Sequence, residues 1–217
     1  MAVVEKMDGT GSGAGGVGAG FVPCWSCKGP VASRALFCHT CGAVQAPGST
    51  DHFTRLGMAP GFDLDDEKLE KQYLGFQRVL HPDRFAGKPA KERVIAESQS
   101  VALNEAYETL NDPLKRATYL LRLKGVNSEV AEDKTVNDPA LLMEALEKRE
   151  ALAEAESADA IEELMISAGA TAIQLLSNLS RAFAADDLAA ANRSVLRLKY
   201  LRKFLEEARL RRAALES

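Results

Sequence analysis

The chain has 217 residues, which is enough for one or two small domains with buried cores. Its formal net charge of −4 gives no general attraction to nucleic acid or to an anionic membrane, so we expect neither as a partner. Aromatic residues make up only 6% of the sequence, and Ala, Leu, Glu and Arg dominate its second half, a composition typical of helices. No apolar run approaches the roughly 18 residues of a spanning helix, so no membrane span is predicted.

Residues 1–20 are rich in glycine and hold little that a core could bury. Such a segment cannot offset its chain entropy, so we predict that residues 1–20 are disordered. The segment is also unlike an organelle presequence, because it contains Glu5 and Asp8 but no Arg. Either a presequence has been removed or replaced, or the chain carries none.

All four cysteines lie in two Cys-x-x-Cys pairs within residues 21–46. Two such knuckles at short separation are a strong zinc signal, because each turns two thiolates toward one point and together they complete a tetrahedron. We therefore predict a small zinc module with one structural Zn²⁺ ion in a closed site. The predicted ligands are Cys24, Cys27, Cys38 and Cys41.

Other uses of these cysteines stay open at this point. The pairs could form disulfides, although four cysteines in an otherwise Cys-free chain favour a metal site in a reducing compartment. Cys24 and Cys27 could form a redox pair, but such a pair normally comes singly and beside a βαβ unit. His39 could also replace one cysteine as a ligand. Trp25 and Phe37 are expected to form the module's small apolar cover.

Residues 51–124 predict a helical domain. A short turn over residues 51–57 ends at Gly57 and packs Phe53 and Leu56 inward. Longer helices follow over about 64–80, 90–110 and 114–123, with Asp112 and Pro113 beginning the last of them. The helix over 64–80 has one apolar face, made of Leu69, Tyr73, Phe76 and Leu80.

A His-Pro-Asp loop separates the two longest of these helices. Pro82 fixes its own φ and pushes His81 out of the helical region, so the preceding helix must end at Leu80. Helix, exposed His-Pro-Asp loop, helix is the arrangement of a J-domain, and this stretch resembles the J-domain co-chaperones. The resemblance implies that the loop and the basic face before it contact a DnaK-type heat-shock chaperone and stimulate its ATPase. The residues it assigns to chaperone binding are His81, Pro82, Asp83, Lys71, Arg78 and Arg84.

A polar connection over residues 125–138 leads into a predicted three-helix bundle over 139–217. Its helices are expected at about 139–156, 158–184 and 187–213, joined by short loops. Pro139 repeats the capping arrangement of Pro113, and Ser157 or Asp159 can cap the second helix.

The first bundle helix has more apolar residues than one buried stripe needs. Leu141, Ala145 and Leu152 form that stripe, whereas Leu142, Met143 and Leu146 lie on its neighbour; in the last helix Tyr200 and Phe204 also lie beside the core stripe. These extra residues either widen the core or form an exposed patch that marks a partner site.

From about residue 51 to 213 the chain resembles the HscB family, the dedicated J-proteins of iron–sulfur cluster biogenesis. The most specific match is the run Leu141-Leu142-Met143-Glu144-Ala145-Leu146-Glu147-Lys148-Arg149-Glu150, which generic J-domains lack. The resemblance implies an L-shaped molecule whose bundle binds the cluster scaffold protein. It favours a mitochondrial matrix location, with the cytosol as the alternative. Its Cys₄ module resembles that of the eukaryotic members. The scaffold-binding residues it assigns are Leu142, Met143, Leu146, Glu147, Glu150 and Tyr200.

The sequence shows no catalytic constellation, so we expect an adaptor rather than an enzyme: it has no paired acids in a cleft, no Ser/His/Asp set and no phosphate loop. Three rivals remain: a general J-protein with a nonspecific client patch, a zinc-ribbon nucleic-acid binder, and a redox protein. The second lacks a basic, aromatic-laced surface, since the knuckles carry only Lys28 and Arg34.

Overall fold

The computed structural model of the chain describes residues 20–126 and 138–216. Within them the fold is all-α apart from one small antiparallel sheet. The predicted disorder of residues 1–19 and most of the predicted connection lie outside the described residues. The elements are β1 (Phe21–Pro23), β2 (Pro30–Ala32), α1 (His52–Arg55), α2 (Asp66–Leu80), a 3₁₀ turn (Pro82–Phe85), α3 (Ala90–Asn111), α4 (Pro113–Leu123), α5 (Pro139–Glu154), α6 (Ala158–Ala184) and α7 (Leu188–Leu215). None of these helices is both long and apolar enough to span a bilayer.

Capping residues in the sequence set most of the helix ends. Asp112 accepts hydrogen bonds from the first turn of α4, and Pro113 takes the first helical position, as predicted. Ser157 caps α6 in the same way. Gly57 and Gly125 take positive φ angles just after α1 and α4, a conformation that favours glycine and ends each helix. The predicted bounds are therefore close to the observed ones.

Two helices begin later than predicted because a residue at or beside the predicted start caps the helix rather than joining it. Asp65 accepts the N–H of Lys68, so α2 begins at Asp66 and not at about 64. Asp187 likewise caps α7, which begins one residue later than expected and continues to Leu215.

α2 and α3 form a hairpin around the predicted apolar face. Leu69 and Leu80 are buried, and Tyr73 stacks on Tyr107 with ring centroids 4.0 Å apart. The buried stripe of α3 consists of Glu92, Ala96, Gln99, Leu103, Ala106 and Leu110. The 3₁₀ turn with the His-Pro-Asp loop packs against the same helix.

α7 is the central helix of the second half of the chain. It packs along α6, and also contacts α5 on one side and α4 on another. Its buried residues are Ala191, Ser194, Val195, Leu198, Leu201, Phe204 and Ala208. One bundle helix therefore also touches the J-domain.

The J-domain and the bundle share one continuous hydrophobic core. Phe62, in the loop before α2, stacks on Phe183 of α6 with ring centroids 5.5 Å apart. Arg202 of α7 donates two hydrogen bonds to the carboxylate of Asp112, at 2.9 and 3.0 Å. The predicted division into domains 51–124 and 139–217 stays a prediction, but the two parts contact each other closely.

The cysteine module packs on the J-domain as well. Its two strands pair antiparallel with Val22 opposite Val31, and this small sheet has its own buried cluster. At its C-terminal end Val44 is fully buried in the main core, and Leu36 and Phe37 pack against that core. Phe37 therefore joins the module to the helices rather than covering the cysteines alone.

Candidate functional sites

Two buried side chains anchor the His-Pro-Asp loop. Leu80 ends α2 at 2% exposure, and Phe85 ends the 3₁₀ turn at 6%. Between these anchors the side chains of His81 and Asp83 are 59% and 89% exposed. Pro82, exposed as well, takes the first position of the turn. The loop is thus fixed at both ends while its polar groups face solvent.

The backbone of the loop gives it a defined shape. The N–H of Arg84 donates to the carbonyl of His81 at 3.0 Å. The Nδ1 atom of His81 lies 3.4 Å from the backbone nitrogen of Asp83 and 3.4 Å from its carboxylate oxygen Oδ2. The imidazole and the carboxylate are therefore presented together, as one exposed group.

Basic residues lie on α2, the helix that leads into this loop. Lys71 and Arg78 are exposed and lie two turns apart, so they share a face of the helix, and Arg84 is exposed in the following turn. The acidic residues Asp66 and Glu67 lie in the first turn, at the far end of α2 from the loop. The half of α2 nearest the loop carries Arg78 and no acidic residue, whereas Lys71 lies in the other half, next to Glu70.

An exposed apolar patch lies on α5. Leu142, Met143 and Leu146 are 36%, 59% and 52% exposed, whereas Leu141 and Leu152 supply the buried contacts of the helix. The extra apolar residues could either widen the core or form an exposed patch, and these three form an exposed patch. We call the three residues Leu142, Met143 and Leu146 the α5 patch.

The aromatic residues of α7 divide between core and surface. Phe204 is only 5% exposed and belongs to the core, so the alternative of an exposed Phe204 is wrong. It faces inward because it continues the buried stripe of Leu201 and Ala208. Tyr200 is half-buried and lines a shallow groove between α5 and α7.

Charged residues frame the α5 patch. Glu147 and Glu150 are exposed on α5. Across the groove, Arg197 pairs with Glu144 at 2.7 Å, and Arg149 pairs with Glu207 at 3.3 Å. Sequence reasoning missed Arg197 and Lys203, which line the groove beside Tyr200. Both lie three residues from Tyr200 on the same helix, and residues at that spacing are neighbours on a helix surface. This spacing could have been used to predict them from the sequence.

The four cysteines come together as predicted. The sulfur atoms of Cys24 and Cys41 are 3.7 Å apart, those of Cys27 and Cys38 are 3.8 Å apart, and all four lie within 4.8 Å of one another. A tetrahedron with Zn–S bonds of about 2.3 Å has edges of about 3.8 Å. A disulfide would need about 2.05 Å, so all four cysteines are free. The site fits a metal ion.

The two knuckles repeat one backbone pattern. Lys28 N–H donates to the Cys24 carbonyl at 3.0 Å, and Gly42 N–H donates to the Cys38 carbonyl at 2.8 Å. Lys28 and Gly42, each directly after the second cysteine of its pair, both take a positive φ. His39 is not a member of the cluster that the described residues form.

The pKa values of the Cys24 and Cys27 thiols are shifted in opposite directions by hydrogen-bond donors and by neighbouring sulfur atoms. Burial opposes ionisation of Cys24, but donors including the N–H groups of Cys27 and Ser26 and the amide of Gln45 lower its pKa from 9.0 to about 6. For Cys27 the Gly29 N–H favours ionisation, yet Cys41 and the other sulfur atoms outweigh it and raise its pKa to about 11. Full ionisation of the cluster therefore calls for a bound cation, since the thiolates repel one another.

Comparison with known proteins identifies the family. A DnaJ domain model matches residues 51–119, and a model described as the HSCB C-terminal oligomerisation domain matches residues 137–209. The human iron-sulfur cluster co-chaperone protein HscB is 34% identical over 202 residues, which cover 91% of this chain and 86% of the human protein. The chain belongs to the HscB family.

Further relatives agree with that assignment. An HscB homolog from Arabidopsis thaliana is 35% identical over 185 residues, covering 85% of this chain and 72% of that protein. The crystal structure of human HscB superposes with a TM-score of 0.82 at 34% identity, covering 88% of this chain and 99% of that one. The HscB relatives are named co-chaperones, so this chain is an iron–sulfur cluster co-chaperone with a J-domain and not an enzyme.

Proposed function

We propose that this HscB-type co-chaperone is an adaptor with two working faces. The bundle holds the iron–sulfur cluster scaffold protein, and the J-domain stimulates the ATPase of a DnaK-type chaperone. Bringing the scaffold to the chaperone while hydrolysis is stimulated promotes transfer of the cluster. The exposure of the α5 patch, on a helix whose core contacts are already supplied by Leu141 and Leu152, is the observation that carries the proposal.

The first face is the His-Pro-Asp loop with the basic residues of α2. Asp83 is 89% exposed and pairs with a cation of the chaperone, while His81 and the preceding basic helix orient the loop. Lys71, Arg78 and Arg84 meet an acidic surface beside it and orient the encounter. The loop biases the ATP-bound chaperone toward its hydrolysis-competent state, so the catalytic groups belong to the partner.

The second face is the α5 patch with its rim. Burying each of its three side chains is worth roughly 1.5–3 kcal/mol before the costs of association, which predicts a modest and reversible complex. Glu147, Glu150 and Tyr200 at the rim add polar contacts that fix the orientation of the scaffold.

The metal of the cysteine site is proposed to be Zn²⁺. Four thiolates in a closed tetrahedron are the donor set of structural zinc, and such a site leaves no open position for chemistry. The ion would be held by Cys24, Cys27, Cys38 and Cys41. We place the protein in the mitochondrial matrix, because the Cys₄ module resembles that of eukaryotic members. Nucleic acid and membranes are not proposed as partners.

Calorimetric titration of the purified scaffold protein tests the second face. We expect micromolar binding to the wild type and none to the triple variant Leu142→Ala, Met143→Ala, Leu146→Ala, provided that circular dichroism shows an unchanged helix content. The control is Ile166→Ala with Ile173→Ala, because both side chains are exposed on α6, at 65% and 71%. That double variant should bind like the wild type.

Two results would contradict the proposal. Equal binding by the triple variant would place the scaffold elsewhere on the molecule. Equal competition by many unfolded peptides would favour the rival, a general J-protein with a nonspecific client patch.

A further inference from the structure

We propose that the cysteine site acts as a brace for the J-domain, so that a metal ion bound there slows local opening of α1 and of the first half of α3. The inference concerns the folding of this chain alone.

A chain of hydrogen bonds connects a metal ligand to the buried face of α3. The side-chain amide of Gln45 donates to the sulfur of Cys24 at 3.4 Å. The carbonyl of Gln45 accepts the side-chain amide of Gln99 at 2.7 Å. Gln45 and Gln99 are 8% and 4% exposed, so water cannot readily replace these partners. The geometry of Cys24 is therefore linked to a buried residue of α3.

The same chain of contacts reaches α1. Arg55 of α1 donates to the side-chain oxygen of Gln99 at 3.5 Å. It also donates to the carbonyl of Gly48 at 3.0 Å and to that of Thr50 at 3.4 Å, in the segment that follows the cysteine module. Arg55 thus fastens this segment to the two helices at once.

A separate contact joins the first knuckle to the beginning of α3. Trp25 lies between Cys24 and Cys27, and its indole N–H donates to the carbonyl of Val44 at 2.7 Å. The ammonium of Lys91 lies 4.9 Å from the centroid of its ring, a cation–π contact. Lys91 is in the first turn of α3, so the knuckle contacts the part of the helix into which the His-Pro-Asp loop leads.

Occupation of the site decides how rigid this brace is. A bound cation ties both knuckles to one point, whereas four free thiols have no such constraint. With the knuckles released, Gln45 loses its fixed sulfur partner and the Trp25 ring its fixed position. Since Gln99 is buried in the interface, loosening the module leaves its amide without a dependable acceptor.

Hydrogen exchange of the full-length protein tests the brace. The protein with one bound Zn²⁺ is compared with the protein treated with a chelator, and exchange is followed for backbone amides in α1, in the first half of α3 and in α6. Loss of one or more buried hydrogen bonds predicts roughly fivefold or faster exchange in α1 and α3 after chelation. The change in α6 should be smaller, because the hydrogen bonds described above reach α1 and α3 and none of them involves α6.

Two variants separate the brace from a general effect of the metal. Gln99→Leu removes the hydrogen bonds of Gln99 to Gln45 and Arg55. Chelation should therefore alter exchange in α3 much less than in the wild type. This variant should still bind one zinc ion per chain. Gln174→Leu, on the exposed face of α6, should keep the wild-type response.

Three outcomes would overturn the inference. The first is a chain that binds no metal, and the second is exchange in α3 that does not respond to chelation. The third is an equal acceleration in α6, which would show that the metal acts only on global stability. None of these outcomes depends on the chaperone or the scaffold, so the inference can fail while the proposed adaptor role of the two faces stands.

Discussion

Asp83 and Asp112 have the same side chain but differ in exposure and in hydrogen-bond partners. Asp83 is 89% exposed and lies beside His81. Asp112 caps α4 and accepts two hydrogen bonds from Arg202 of the bundle. An exposed surface pair contributes little to folding, so Asp83 is available for a partner, whereas Asp112 stabilises the contact between J-domain and bundle.

The pairing of Asp112 predicts a specific dependence of stability on pH. Burial alone would raise the pKa of Asp112, but the hydrogen bonds from Arg202 and Lys115 outweigh it and lower the pKa below its ordinary value. A carboxylate with a lowered folded-state pKa contributes stability that is fully present above the unfolded-state pKa of about 4. That contribution is lost as the pH falls through the lowered folded-state value.

Asp112→Asn keeps a capping side chain but removes the charge. We expect the free energy of unfolding in urea to fall by roughly 1 kcal/mol at pH 7, discounted because the pair is partly solvated. The difference from the wild type should shrink toward zero in acid, and Arg202→Met should lose the same pH dependence. A difference that is constant with pH would show that the ion pair does not couple folding to protonation.

At the scale of helices, the sequence predicts where elements begin and end because the signals are local. Asp112 with Pro113, Ser157 and Gly125 each act within a few residues, so the observed ends agree with the predicted ones. The side that a helix buries is harder to predict when several apolar residues adjoin. On α5 the pattern left open whether the apolar residues beside the core stripe widen the core or form an exposed patch, and the packing against α7 decides it.

The orientation of α5 can be tested with one type of substitution at two positions. Leu141 is 5% exposed and Leu146 is 52% exposed on the same helix. Leu141→Ala should lower the free energy of unfolding by about 2–4 kcal/mol, because it leaves a cavity in the core. Leu146→Ala should cost no more than about 1 kcal/mol. Equal costs in urea unfolding would mean that the α5 patch is not on the surface.

At the scale of the whole molecule, the contacts that sequence reasoning missed join residues far apart in the chain. Phe62 and Phe183 lie in different predicted domains, and Gln45 and Gln99 in different predicted modules. No local sequence pattern predicts such pairs, since they depend on how whole helices and modules pack on one another. The cysteine cluster was predictable despite its span because metal coordination requires its four residues at one point.

A double-mutant cycle tests the contact between J-domain and bundle. Phe62→Ala and Phe183→Ala should each destabilise the protein, and the double variant should lose less than their sum. The expected coupling is about 0.5–1.5 kcal/mol, typical of a stacked aromatic pair. Phe62→Ala combined with Leu141→Ala is the control and should be additive. Additive costs for the phenylalanine pair would contradict the shared core.

The central claim is that one chain carries two separate working faces, and chaperone ATPase turnover with and without the scaffold protein tests it most directly. Wild type should stimulate hydrolysis, and the scaffold should increase that stimulation. Asp83→Asn should stimulate in neither condition, whereas the control Glu97→Gln, exposed on α3, should behave as wild type. The triple alanine variant of the α5 patch should keep the basal stimulation and lose the scaffold-dependent increase. Undiminished stimulation by Asp83→Asn, or a scaffold-dependent increase that survives the triple substitution, would contradict the account.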